Sequence, residues 1–134
     1  MRDAPPSQLR SPLGRAIGLG SAKGGVEHWV VQRVTAVALV PLALWFVAAM
    51  IQLTGADFDA MQNWVGRPLP AIGLVLLLIA TFYHAAIGLQ VVIEDYVHGE
   101  LARFGLVIFS RLACIAFAVA GIVGVLTLAL GAAD

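Results

Sequence analysis

The residue with the clearest capacity for chemistry in this sequence is a single histidine inside a long apolar stretch. His84 lies in the interval 68–93, which contains no Asp, Glu, Lys or Arg. An ionisable side chain inside a membrane span is costly and is a functional candidate by default. A neutral imidazole there can form a hydrogen bond to a neighbouring helix, or it can bind a metal or a haem iron. The histidine alone leaves both alternatives open.

The neighbours of His84 favour a haem. At about 100° per residue in a helix, Gly88, Val91 and Asp95 lie within about 40° of His84 and form one face with it. Gly88 lies one turn away and has no Cβ, so a flat macrocycle could approach the helix there, although helix packing also explains a glycine. One histidine cannot complete a six-coordinate haem, and the chain offers no plausible second intramembrane ligand. If haem binds, another subunit must supply that ligand.

A polar cluster follows the same apolar interval: Glu94, Asp95, Tyr96 and His98. The phenol of Tyr96 can donate a hydrogen bond to a quinone carbonyl and stabilise its more negative, reduced form, or it can belong to an interfacial aromatic belt. Arg33 immediately precedes the first apolar interval, near the start of the first helix, and either anchors that helix at the membrane surface or, beside a haem, neutralises a propionate.

The elements that must position these residues are predicted by the gaps between charges. The intervals 34–56, 68–93 and 112–133 contain 23, 26 and 22 residues without a charged side chain. About 20 apolar residues span the hydrocarbon of a bilayer as a helix, and continuous apolar runs do not fit barrel strands. The sequence therefore predicts an all-α protein with three transmembrane helices at about 28–54, 68–95 and 106–132. Residues 1–26 are expected to form an N-terminal segment, and residues 27–134 the membrane domain.

Composition excludes other classes. The chain of 134 residues is 60% hydrophobic and 12% charged, which is atypical of a soluble enzyme, and its net charge of zero offers no field for nucleic acid. Cys114 is the only cysteine and is expected to be a small apolar filler. The N-terminal segment has the pattern of neither a signal nor a transit peptide. Five of the eight basic residues precede the first uncharged interval, so the N-terminus is predicted to be cytoplasmic and the C-terminus periplasmic, in a bacterial inner membrane.

Two segments carry a resemblance to a known family. The segment from His84 to Val97, HAAIGLQVVIEDYV, resembles the second-helix motif of the succinate dehydrogenase hydrophobic membrane anchor subunit, the smaller anchor of bacterial respiratory complex II. The segment from Gly25 to Val37, GVEHWVVQRVTAV, is similar to the entry of that family's first helix, but it has Glu27 where a histidine is common. Together with the three-span layout, the resemblance covers nearly the whole chain from about Ser21.

The resemblance implies specific roles for residues of this chain. His84 would be an axial ligand of haem b, shared with a histidine of a sibling cytochrome b subunit, so that the chain forms half of a heterodimeric haem-binding helix bundle. Tyr96 and Asp95 would contribute to the ubiquinone site. Arg33 and His28 would lie near the haem propionates, with Gly88 beside the haem.

The resemblance also implies partners and an activity. The chain would anchor the flavoprotein and iron–sulfur subunits of succinate dehydrogenase in the lipid bilayer, and a trimer of heterotetramers would be compatible with the family. It would contribute to quinone reduction but perform no succinate chemistry itself. The alternatives are the anchor of a fumarate reductase or of a menaquinone-linked homologue, and a haem-free membrane scaffold.

Overall fold

The structure, a computed structural model, describes residues 23–131, apart from the side chains of residues 23–25, 27 and 28. This part of the chain contains four helices and no strand: α1 (Lys23–Gln52), α2 (Phe58–Val65), α3 (Pro68–Tyr96) and α4 (Glu100–Gly131). Three of them, α1, α3 and α4, are long and apolar enough to cross a membrane. The predicted all-α fold with three spans is confirmed. The chain divides into two compact units after Val30, and the packing described below belongs to the second, Val31–Asp134.

The helix boundaries differ from the predicted ones at several places. α1 extends from Lys23 to Gln52 rather than from 28 to 54, and Gly55 follows with φ +82°, a left-handed conformation that glycine adopts without strain. α4 begins at Glu100, six residues before the expected start at 106. A carboxylate in the first turn favours a helix N-terminus, and a helix does not have to begin where the hydrocarbon begins. Only residues 97–99 therefore connect α3 to α4.

The short helix α2 was not predicted. Asp57 caps its N-terminus, since the side-chain Oδ1 accepts a hydrogen bond of 2.8 Å from the backbone N–H of Ala60. Trp64 of α2 stacks on Trp45 of α1 with ring centroids 6.0 Å apart, and Val65 is buried. The connection between the first two spans is thus a packed element.

Two contacts fix the alignment of α1 with α3. Thr35 of α1 contacts His84 of α3, and Trp45 lies so close to Gly73 that a Cβ on the glycine would be 2.6 Å from the indole ring. The two contacts are ten residues apart on α1 and eleven on α3, in opposite directions along the chain. These separations correspond to about 15 and 16 Å of helix, so α1 and α3 are antiparallel and touch at two levels about three turns apart.

The pair α3 and α4 packs in the same antiparallel manner. Phe82 stacks on Phe117 with centroids 6.1 Å apart, and a Cβ on Gly121 would lie 3.0 Å from a methyl carbon of Leu78. Each contact is displaced by one turn from the other on both helices. The small residue on α4 therefore lets the two backbones approach closely, which is how membrane helices gain packing energy.

Most of the apolar surface of this bundle faces outward. The buried hydrophobic side chains of the described part are Ala49, Val65, Ile87 and Cys114. The burial of the Cys114 thiol agrees with its predicted role as a filler. In water, exposed apolar area of this extent would drive association. The surface instead suits lipid and the helices of other chains.

Candidate functional site

The first functional candidate, His84, lies near the middle of α3 and is partly buried against α1. Its ring atom Nδ1 is 3.0 Å from Oγ1 of Thr35. The same Oγ1 is 2.9 Å from the carbonyl oxygen of Val31 and 3.0 Å from that of Gln32. Because Thr35 is held to its own helix by these carbonyls, it offers the imidazole a partner with a fixed position.

The second ring nitrogen of His84, Nε2, makes no hydrogen bond within the described part of the chain. No described side-chain nitrogen or oxygen is both buried and without a hydrogen bond, so Nε2 must reach the surface of the bundle. A solvated or lipid-facing imidazole nitrogen inside a span is unfavourable unless another group covers it. His84 therefore has one nitrogen bonded to Thr35 and a second nitrogen with accessible surface and no hydrogen bond in the described part of the chain, an arrangement that suits a metal-ligating histidine.

Gly88 lies one turn from His84, about 40° around the helix. A Cβ added at Gly88 would meet nothing within 4 Å, so this chain does not itself use the missing side chain for packing. The space beside this glycine is open, and Gly88 lies on the same face of α3 as His84. The residues present here fit a haem.

Further ligands are not supplied by this chain within its described residues. No group of three or more His, Cys, Asp or Glu side chains converges there on a possible metal position. Cys114 is buried between helices, and His98 lies beyond the end of α3. Within the described residues, His84 is therefore the one histidine inside a candidate membrane span.

The two predicted propionate contacts are located differently. Arg33 lies two residues from Thr35 on α1, about 3 Å along the axis and about 200° around it. The Arg33 side chain therefore leaves α1 at about the level of Thr35 and His84, but from a different side of the helix than Thr35. The side chain of His28 lies outside the described residues, and its predicted role stays a prediction.

The cytoplasmic end predicted for α3 contains a side-chain network. Gln90 donates from Nε2 to Oε1 of Glu94 at 2.7 Å, and Arg111 of α4 donates to Oε1 of Gln90. Asp95 and Tyr96 follow directly, and the Tyr96 side chain is 78% exposed at the last residue of α3. The network connects α3 to α4 in the last two turns of α3, where Asp95 and Tyr96 are exposed.

The structure brings His84 and Thr35 together and keeps Tyr96 apart from them. Twelve residues of helix separate His84 from Tyr96, which corresponds to about 18 Å along the axis and about 120° around it. A ligand at the histidine and a ligand at the phenol would therefore occupy different surfaces of α3.

The contributions of Thr35, Gln90 and Arg111 were not predicted from the sequence. The signal available for Thr35 was a hydroxyl group inside the first span. The sequence could not indicate its contact with His84, because the two residues are 49 positions apart. The i, i+4 spacing of Gln90 and Glu94 could have indicated their bond. The reach of Arg111 to Gln90 depends on how α4 packs against α3.

Comparisons with known proteins agree with this architecture. A family model described as the succinate dehydrogenase/fumarate reductase transmembrane subunit matches residues 7–125. A succinate dehydrogenase hydrophobic membrane anchor subunit of Rickettsia bellii is 38% identical over 116 residues, covering 84% of this chain and 93% of the relative. One of Paracoccus denitrificans is 34% identical over 100 residues, covering 75% of this chain and 77% of the relative. No solved structure matches.

Proposed function

The chain belongs to the family of succinate dehydrogenase/fumarate reductase transmembrane subunits, and we propose that it anchors a succinate:ubiquinone oxidoreductase, co-ligates haem b and forms part of the quinone site. The observation that supports the haem assignment is the arrangement of His84: Nδ1 is bonded to Thr35, Nε2 has no hydrogen bond in the described part of the chain, and Gly88, one turn away, is open to an added Cβ. The relatives are named as subunits of succinate dehydrogenase, which supports the assignment to that complex.

The chain would contribute residues to two separate sites, a haem site at His84 and a quinone site at Tyr96. At the histidine, Nε2 would bind the iron, Gly88 would leave room for the ring, and Arg33 would pair with a propionate, with His28 as a second candidate. A bound haem supplies one-electron redox chemistry. A cytochrome b subunit would provide a second iron ligand and complete the helix bundle.

At the end of α3, Tyr96 would hold the quinone by donating its phenolic hydrogen to a carbonyl oxygen. Reduction makes that oxygen more negative, so the hydrogen bond strengthens as electrons arrive. Conversion of a quinone to a quinol also consumes two protons, and the exposed carboxylate of Asp95 can take up protons from the aqueous side. The rest of the pocket would come from partner chains, including the iron–sulfur subunit that delivers the electrons.

The distribution of basic residues supports a cytoplasmic N-terminus and a periplasmic C-terminus in a bacterial inner membrane. In this orientation the end of α3 with Tyr96 is cytoplasmic. The flavoprotein and iron–sulfur subunits would dock there, where succinate is available, and this chain would perform no succinate chemistry.

Paired substitutions in the complete, purified complex test the two sites separately. We expect His84→Ala to remove or displace the haem, whereas His98→Ala, at an exposed histidine beyond α3, should leave the haem spectrum unchanged. An unchanged haem content and spectrum in His84→Ala would show that another residue is the ligand.

For the quinone site, we expect Tyr96→Phe to lower quinone reduction by about 10- to 100-fold, the equivalent of a hydrogen bond to a charged group. Succinate oxidation with an artificial acceptor should persist. Tyr83→Phe, on the same helix, is the matched control. Equal loss of both activities in Tyr96→Phe would contradict a role in quinone binding.

One observation favours a second candidate, a haem-free scaffold: the hydrogen bond to Thr35 already satisfies one nitrogen of His84. Absence of haem from the intact wild-type complex would establish that candidate. An anchor of a fumarate reductase or of a menaquinone-linked enzyme is distinguished by the preferred direction of turnover and by the quinone that the complex reduces.

A further inference from the structure

We infer that Thr35 is a positioning residue for His84: its hydroxyl holds the imidazole proton on Nδ1 and so presents the lone pair of Nε2 to the iron. This inference rests on the proposed haem ligation. The inference goes beyond the proposed function because it specifies the tautomer and the ring orientation of His84. Both would be set by Thr35, a residue of another helix that acts on the haem through the histidine.

The direction of the hydrogen bond follows from counting protons at the threonine. A hydroxyl has one hydrogen to donate, and the carbonyl oxygens of Val31 and Gln32, at 2.9 and 3.0 Å from Oγ1, can only accept. The hydroxyl hydrogen therefore goes to these carbonyls, and its oxygen accepts from Nδ1–H of His84 at 3.0 Å. The opposite direction would place the oxygen against two carbonyl oxygens without a hydrogen between them.

A neutral imidazole with its proton on Nδ1 has its lone pair on Nε2. Iron binds an imidazole nitrogen through that lone pair, so the Thr35 bond selects the tautomer that can ligate from the outward nitrogen. The bond also fixes the rotation of the ring about its attachment to α3, because Nδ1 must stay within reach of Oγ1.

The position of the hydroxyl is itself constrained. Threonine is branched at Cβ and has few accessible rotamers in a helix, and its bond to the preceding turn selects among them. The close contact of Trp45 with Gly73 sets the alignment of α1 with α3 three turns away. The ring orientation of His84 is thus coupled to the packing of two spans.

A hydroxyl that donates to a carbonyl is a better acceptor, because successive hydrogen bonds polarise one another. Acceptance from Nδ1–H makes the imidazole a more basic ligand and favours ferric over ferrous iron. Removal of the hydroxyl should therefore weaken haem binding and raise the haem reduction potential.

The test uses the complete complex with Thr35→Val, which keeps the shape and removes the hydroxyl. We expect about 10- to 100-fold weaker haem retention, the usual loss when a metal-bound histidine loses its outer partner. We also expect a higher reduction potential and an altered low-spin electron paramagnetic resonance spectrum. Thr35→Ser keeps the acceptor and should preserve all three properties.

Thr127→Val is the matched control, because the Thr127 hydroxyl donates to the carbonyl of Val123 at 2.8 Å within α4. It removes the same kind of intrahelical bond without touching His84. If Thr35→Val prevents assembly, Thr35→Cys replaces it: sulfur is a weak acceptor, so the cysteine variant should differ from Thr35→Ser in potential and spectrum.

The outcomes separate this inference from the proposed function. Haem loss in His84→Ala with wild-type haem content, spectrum and potential in Thr35→Val would overturn the role of Thr35 alone. Identical potentials and spectra in Thr35→Ser and Thr35→Cys would do the same. A wild-type complex without haem would overturn the ligand assignment, and the inference with it.

Discussion

Substitution of Gly88 by alanine should have opposite effects on the stability of the helix and on the binding of a haem. A Cβ at this position would meet nothing within 4 Å in this chain, so the added methyl group causes no clash with α1 or α4. Alanine is also a better helix former than glycine by about 0.8–1 kcal/mol in exposed helix interiors. For the three spans by themselves, Gly88→Ala should be neutral or slightly stabilising.

A haem bound to Nε2 of His84 reverses this expectation. The ring would lie against the turn that contains Gly88, and an added methyl group would occupy part of its space. Overpacking of a close contact costs about 1–3 kcal/mol. At 1.4 kcal/mol for each factor of ten, haem binding should weaken by about 5- to 150-fold.

The assay is the ratio of haem to flavin in the purified complex, followed during detergent washing and heating. Gly124→Ala is the control, because a Cβ on that glycine of α4 also meets nothing within 4 Å. Gly88→Leu should enlarge the loss of haem. Wild-type haem retention in both Gly88 variants would refute the reasoning, since no planar group could then be lying against this turn.

Two further predictions concern packing. Gly73→Val should lower the thermal unfolding temperature of the complex, because even the first added carbon would lie 2.6 Å from the ring of Trp45; an unchanged temperature would contradict the close crossing of α1 and α3. Arg111→Met should increase hydrogen exchange of backbone amides at residues 90–97 by removing the bond from α4 to Gln90. Arg103→Met, on the same helix, is its control, and equal exchange in both variants would contradict a bracing role for Arg111.

The three spans could be predicted from sequence because the hydrocarbon of a membrane excludes charged side chains. A charged side chain is costly in hydrocarbon, so the distances between charges report the length of each crossing. The start of α4 could not be predicted in this way. Arg103 lies inside the helix, and a long basic side chain near a helix end can reach the aqueous surface while the backbone stays helical.

Elements outside the hydrocarbon depend on weaker signals. Asp57 caps α2, and an aspartate directly before a segment of mixed apolar and polar residues is a recognisable helix start. The stacking of Trp64 on Trp45 could not be predicted, because it depends on the direction in which the chain leaves α1. Local sequence therefore indicates that a helix can begin, and tertiary packing determines where it lies.

The residues of the candidate site also fall into those that could be predicted from local sequence and those that depend on packing. His84, Gly88, Asp95 and Tyr96 were identified because they belong to one helix, where spacing alone defines relative direction. Thr35 was not, because its role requires the alignment of α1 with α3, which is set by contacts such as Trp45 with Gly73. A partner chosen by packing between helices leaves no periodic signal in either one.

The separation of His84 from Tyr96 has a consequence for how the proposed functions depend on one another. About 18 Å and a third of a turn lie between them along α3. Thr35 holds this helix at the histidine, and Arg111 holds it at Gln90, about halfway between the two residues. If a quinone is reduced at the end of α3, electrons that arrive from the aqueous side do not have to pass through the site at His84. Substitutions at the histidine should therefore change haem content more than quinone turnover, whereas substitutions at the phenol should do the reverse. A strong mutual dependence would require α3 to move as a whole, which the close crossings at Gly73 and Gly121 oppose.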